Sequence, residues 1–139
     1  MLSDLIDKEK SVEELEGDRW PDPPPDSTNL VLSVHALRRR PIKDLAVEDL
    51  CRLIGQDVGL QWLMPVALDL LRETAPQESK TGWYDDDLLT AVLTRKGSLW
   101  RSRPEFARHL DGTVRILTDL SPYVQREVQS FRGLVSDLV

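Results

Sequence analysis

The sequence predicts an all-α fold: a single compact helical domain of about six to seven helices with a proline-rich N-terminal connector. Three observations carry that expectation. Apolar residues recur at helical spacing through most of the chain, strand-like alternation nowhere lasts more than four residues, and capping residues and prolines punctuate the apolar segments. At 139 residues the chain is long enough to bury a sizeable core in one domain.

In "SVEELEG", Ser11 is an N-cap with its reciprocal partner, Glu14, three residues on, and Gly17 ends the helix after one or two turns. "WPDPPPDS" follows. Its prolines, Pro21 to Pro25, lack N–H groups and fix φ, which excludes helix and central strand and leaves an extended connector. Trp20 is expected to pin that connector to the body. Asp26, Ser27 or Thr28 caps a helix to about Arg39, with Leu30, Val34 and Leu37 as its stripe, and Pro41 ends it. Val47 to Gln56 is the next amphipathic segment. Val47, Leu50, Leu53 and Ile54 share a face, and Glu48 and Asp49 lie in the first turn, where the helix dipole favours acids.

Gly55 or Gly59 permits the turn into a long apolar helix from about Val58 to Glu73. Pro65 kinks that helix or divides it, the main part then starting near Met64. "TAPQESKTG" reads as loop, and Asp85 or Asp86 as the cap of a short helix through Leu93 with Leu88, Leu89 and Val92 inward. "RKGSLWRSRP" is a connector with one turn around Ser98 to Arg101. Pro104 opens a helix whose inward residues are Phe106, Leu110, Val114, Leu117 and Leu120. Gly112 weakens its middle by ~1 kcal/mol relative to alanine. The last helix starts near Pro122, and Val124, Val128, Phe131, Val135 and Leu138 form its docking stripe.

Composition and charge narrow the function classes. The chain is 40% hydrophobic and 30% charged, the balance of a soluble globular protein. Its longest apolar run, "LQWLMPVALDLL", falls short of the ~20 residues that span a bilayer, so no membrane partner is expected. The acidic start "MLSDLIDKEK" is not a secretory signal, which makes the cytoplasm the expected location. The net charge of −6 is confined to residues 1–29, which hold nine acids and three bases, whereas residues 30–139 carry fifteen of each. We therefore divide the chain into an acidic, proline-rich N-terminal segment, 1–29, packed on the body, and a helical domain, 30–139. Such a charge pattern opposes phosphate binding and suits a basic partner.

Catalytic signals are missing. There is no glycine-rich phosphate loop, HExxH or nucleophile elbow, so neither enzyme activity nor a cofactor is expected. The lone cysteine, Cys51, excludes an internal disulfide and a cysteine-based zinc site, and reads as a small buried hydrophobe. His35 and His109 are boundary residues on amphipathic helices. Three contiguous aspartates, Asp85 to Asp87, fan outward rather than converge on a cation. Beside Trp83 and Tyr84 they form a plausible anchor for a basic protein surface. "RRRP" before an amphipathic pair suggests helix–turn–helix, but the second helix is apolar nearly all round and carries no cation until Arg72. Arg38, Arg39 and Arg40 then serve the helix end and pair with Asp44, Glu48 or Asp49.

"RRRPIKDLAVEDLCRLIGQDVGLQWLMPVALDLL" resembles the central motif of the contact-dependent growth inhibition immunity proteins, through "RRPIKDL", "VEDL", "IGQ" and the proline-containing apolar helix "LMPVALDLL". "SVEELEGDRWPDPPPDST" resembles that family's N-terminal segment, and "GWYDDDLLTAVL" its aromatic loop and following helix. The resemblance runs from about Ser11 to Trp100. It departs at Ala46, where the family usually has threonine, and at Asp85 and Asp86, where Pro-Gly is common.

The resemblance implies a cytoplasmic, non-enzymatic antitoxin that binds the toxic C-terminal domain of a cognate contact-delivered effector. Many such toxins are nucleases with basic grooves. Toxin contacts are expected from Glu13, Glu14, Glu16 and Asp22, and from Trp83, Tyr84, Asp85, Asp86 and Asp87. Two alternatives stand beside this reading. One is a DNA-associated regulator built on the Val47–Leu71 hairpin. The other is an adaptor that dimerises through the Val124–Leu138 stripe.

Overall fold

The computed structural model describes residues 2–81, 87–117 and 120–139, with the backbone alone for 75–81 and 87. Among them are eight α-helices: α1 (Val12–Glu16), α2 (Asn29–Arg38), α3 (Val47–Gly55), α4 (Leu60–Thr81), α5 (Asp87–Leu93), α6 (Gly97–Ser102), α7 (Pro104–Val114) and α8 (Pro122–Val135). Two 3-10 turns, Leu2–Leu5 and Ile42–Asp44, complete the regular structure, and no strand occurs among the described residues. The all-α expectation holds. The count exceeds six to seven because α1 and α6, of 5 and 6 residues, each stand as separate helices.

Local chemistry explains most helix starts. Ser11 Oγ accepts from the Glu14 N–H at 3.1 Å while the Glu14 carboxylate accepts from the Ser11 N–H at 3.1 Å, and Gly17, at φ 66°, closes α1. Thr28 caps α2 through Val31 N–H, and Ser121 caps α8 through Val124 N–H. Pro104 and Pro122 occupy first helical positions, where a missing N–H costs nothing. Ala46 has no oxygen with which to cap α3. Asp49 supplies half of a box instead, its carboxylate accepting from the Ala46 N–H at 2.9 Å.

Helix α4 is the axis of the core. Leu63, Met64, Ala67, Leu68 and Leu71 are buried along it. It packs on α3, α5 and α7 and on the 3-10 turn at Leu2–Leu5. On the far side α8 docks against α5, α6 and α7 with Val124, Val128, Phe131 and Val135 buried, and Phe131 meets Trp100 edge-on at 5.0 Å. That stripe is thus occupied within the chain, which removes the face on which the dimerising adaptor reading was built.

Several expectations need correction. The segment read as loop from Thr74 is helical through Thr81, so α4 is longer than its apolar part; Pro65 lies inside this one helix, which begins at Leu60. Gly59, at φ +63°, and Asp57, at φ 58°, make the α3–α4 turn, while Gly55 is still helical. Helix α7 stops at Val114, and Leu117 and Leu120 pack on the core from beyond its end. Val47 and Leu30 are 49% and 42% exposed rather than inward, and Cys51 is half-buried. Gly112 has a packing role: a Cβ there would lie 2.8 Å from Arg72 Nη2. Arg72 needs that space to donate to Thr113 Oγ1 and to the His109 carbonyl, both at 2.8 Å, tying α4 to α7.

Candidate partner-binding surface

The acidic N-terminal segment is laid onto the body by three sets of contacts. At its start, Asp69 of α4 accepts from the backbone N–H groups of Ser3 at 2.8 Å and Leu2 at 3.2 Å. Next, the carbonyls of Lys8 and Lys10 accept from the Lys43 and Ile42 N–H groups, both at 3.0 Å, and Lys43 Nζ meets Glu9 at 2.7 Å. Val12 then enters the core with no exposed surface.

Arginines make the third set. Arg38, 1% exposed at the end of α2, donates from Nε to Glu16 at 3.2 Å and from Nη2 to the Asp18 carbonyl. Its guanidinium carbon lies 4.0 Å from the centre of the Trp20 ring, which also meets His35 edge-on at 5.2 Å. Arg39 donates to Asp22 at 2.8 Å and to the Trp20 carbonyl at 3.3 Å, and its Nε lies 3.7 Å from Glu13. Trp20 therefore pins residues 18–22 against the C-terminal half of α2. Of the three arginines only Arg40 reaches one of the acids expected for them, Asp49, at 3.7 Å. The other two face back across the chain.

This arrangement decides what the four N-terminal acids offer. Glu13, Glu16 and Asp22 each have an arginine partner, and Glu14 completes the α1 cap. Glu14, Glu16 and Asp22 are exposed, the Asp22 side chain at 79%, and Glu13 is half-buried. The hydrogen bond from Arg39 and that cation's charge hold the Asp22 carboxyl below the ordinary carboxylate range. Trp83, Tyr84, Asp85 and Asp86, together with any cap from Asp85 or Asp86, lie outside the described residues; Asp87 is the first residue of α5. Each of the N-terminal four has a role inside the fold.

One exposed feature escaped the sequence reading. Leu30, Val31 and Leu32, in the first turn of α2, are 42%, 39% and 39% exposed, and burial begins only at Val34. Three consecutive aliphatics span about 200° of a helix, so a single inward stripe could never have covered them all. That run was the available signal.

A second polar cluster lies under the N-terminal turn. His109 Nε2 is 3.6 Å from Asp69, and the imidazole is half-buried beside Arg72. Burial, reinforced by Arg72 and opposed by Asp69, pushes the His109 pKa down. Burial raises the Asp69 pKa, but hydrogen bonds from Ser3 and Leu2 and the nearby His109 together hold it below the usual value. The described residues contain no group of three or more His, Cys, Asp or Glu able to hold a metal ion.

Two further comparisons test the alternatives. From Trp62 to Leu71 no residue of α4 is exposed, so α4 cannot enter a DNA groove as a reading helix. No helix among the described residues is long and apolar enough to cross a membrane. A family model described as CDI immunity proteins matches residues 14–110, well over half of the chain, and the chain belongs to that family. No curated protein and no solved structure matches it.

Proposed function

We propose that this CDI immunity protein acts by stoichiometric binding. It holds the toxic C-terminal domain of a cognate contact-delivered effector in an inactive complex in the cytoplasm, with no catalysis or cofactor of its own. Membership of the family, over residues 14–110, is the observation that carries this reading. A protein-binding role also fits a chain whose polar clusters are used to fasten its own segments together rather than to converge on a small molecule.

The partner class we propose is a basic nuclease domain. A net charge of −6, all of it arising in residues 1–29, would steer association with a basic groove and speed it at low ionic strength. Contacts are proposed from the acids of that segment, with Glu14, Glu16 and Asp22 exposed and Glu13 supporting them, and from Trp83 to Asp87. The test is co-expression with the C-terminal domain of any large exported protein whose reading frame adjoins this one. Cells making both proteins should survive and cells making the toxin domain alone should not. Failure to bind or protect against any neighbouring toxin domain would sink the reading.

A further inference from the structure

We infer that the first turn of α2, with the outer side of residues 18–28 that lead into it, is the surface on which the toxin domain seats. It presents an apolar knob at the start of α2, with exposed carboxylates along the segment that leads into it, and fits a partner whose basic face contains an apolar pocket. This rests on the immunity reading and adds to it a location and a chemistry.

The knob is unlike the other exposed apolar groups. Among the described residues Leu5, Val47, Ile116, Tyr123, Leu134 and Val139 are also exposed, but none adjoins another in sequence, and scattered single apolar residues are ordinary surface. Leu30, Val31 and Leu32 are contiguous. Because they cover about 200° of the helix, their joint exposure means that more than one side of this turn is open to solvent. The principal neighbour of α2 is α3, and the buried residues of α2 are Val34, Leu37 and Arg38, all in its C-terminal half.

The carboxylates belong to the lead-in segment, Asp26 close to the knob in sequence, and Asp18 and Asp22 towards the other end of α2, where Arg38 and Arg39 hold their stretch. Asp18, Pro21, Asp22, Pro24, Pro25 and Asp26 are exposed, with Arg19 as the single cation among residues 18–28. This stretch is already fixed: Arg38 and His35 hold the Trp20 ring, Arg39 holds Asp22, and the Ser27 N–H closes a turn on the Pro24 carbonyl at 3.0 Å. Prolines restrict it further. A partner would find the knob and its lead-in preorganised, which lowers the ordering cost of association. Three carboxylates, Asp18, Asp22 and Asp26, stand against two cations, Arg19 and the Arg39 that pairs with Asp22, so the surface keeps a net negative charge that suits a basic partner over a second copy of this acidic segment.

The test uses the full-length chain and a catalytically disabled toxin domain from the adjacent reading frame, with binding kinetics followed at two salt concentrations. Leu30→Ala, Val31→Ala and Leu32→Ala combined keep a good helix former at each position, and circular dichroism checks the fold. We expect at least a tenfold weaker Kd, mainly through faster dissociation. Asp18→Lys with Asp26→Lys should slow association several-fold at low salt, with the difference closing at high salt. Tyr123→Ala with Leu134→Ala, on α8, should leave binding unchanged. Wild-type affinity in the triple variant, a larger loss in the α8 variant, or a dimer abolished by the triple variant would overturn this location while leaving the immunity reading intact. A wild-type chain that binds no neighbouring toxin would overturn both.

Discussion

Arg38→Ala tests whether the N-terminal segment is fastened as described. The guanidinium makes two hydrogen bonds, to Glu16 and to the Asp18 carbonyl, and lies over Trp20 at 4.0 Å. Hydrogen bonds to a charged group contribute at least ~1.5 kcal/mol each, and a desolvated cation–π contact about 1 kcal/mol. Those terms are not additive, and Glu16, with its side chain 27% exposed, regains water when its partner goes. A loss of about 2–3 kcal/mol results, or roughly 6–12 °C in Tm for a domain of this size. Arg38→Lys keeps the charge but loses the planar fork and the stacking, and should recover about half.

Urea unfolding followed by circular dichroism measures the global cost. Hydrogen exchange at the Leu15 and Gly17 amides, which bond Ser11 and Glu13, reports on α1 separately. We expect protection at both to fall in Arg38→Ala. A global loss below about 0.5 kcal/mol together with unchanged exchange at those amides would refute the view that Arg38 fastens this segment.

Gly59 and Gly55 should respond in opposite directions to alanine. At Gly59 the Cβ would meet Val12 Cγ1 at 2.8 Å with φ at +63°, so strain and overpacking together cost about 2–4 kcal/mol. At Gly55, helical with nothing within 4 Å, alanine should gain about 0.5–1 kcal/mol; chemical denaturation reads both. The Asp69–His109 cluster sets an acid limb. Both groups have depressed pKa values in the folded state, so each contributes stability that is complete above its unfolded value, 6.5 for His109 and 3.8 for Asp69, and is lost as pH falls through the folded value. Unfolding free energies measured from pH 8 to pH 3 should decline first below pH 6.5 and again below 3.8. His109→Gln should flatten the first decline and Asp69→Asn the second; unaltered slopes would count against the cluster.

What could be read in advance was whatever is local along the chain. The Ser11–Glu14 box, the prolines opening α7 and α8 and the α8 stripe are signals within one or two turns, and each governs backbone geometry directly. Long side chains obeyed no such rule. Arg38 looked like a cation at a helix end, yet its partners lie 20 and 22 residues earlier. Gly112 read as a weakness because helix propensity ignores the Arg72 guanidinium that occupies the missing side chain's place. Leu30 joined a stripe by periodicity, which records the face of a helix but not how far along its axis the body extends. The candidate surface was half legible for the same reason: its charge is compositional, whereas its apolar knob depends on where α2 leaves the core.

The hold of Asp69 on Leu2 and Ser3 imposes an order on synthesis. Those two amides leave the ribosome 67 and 66 residues ahead of the carboxylate that receives them. At 5–20 residues per second the wait is about 3–13 seconds. During that interval Val12 has no core to enter, since Leu63, which lies with it beside Gly59, is also still to come. Residues 2–12 must therefore stay in water until α4 arrives, and their five charged side chains, Asp4, Asp7, Lys8, Glu9 and Lys10, suit them to that.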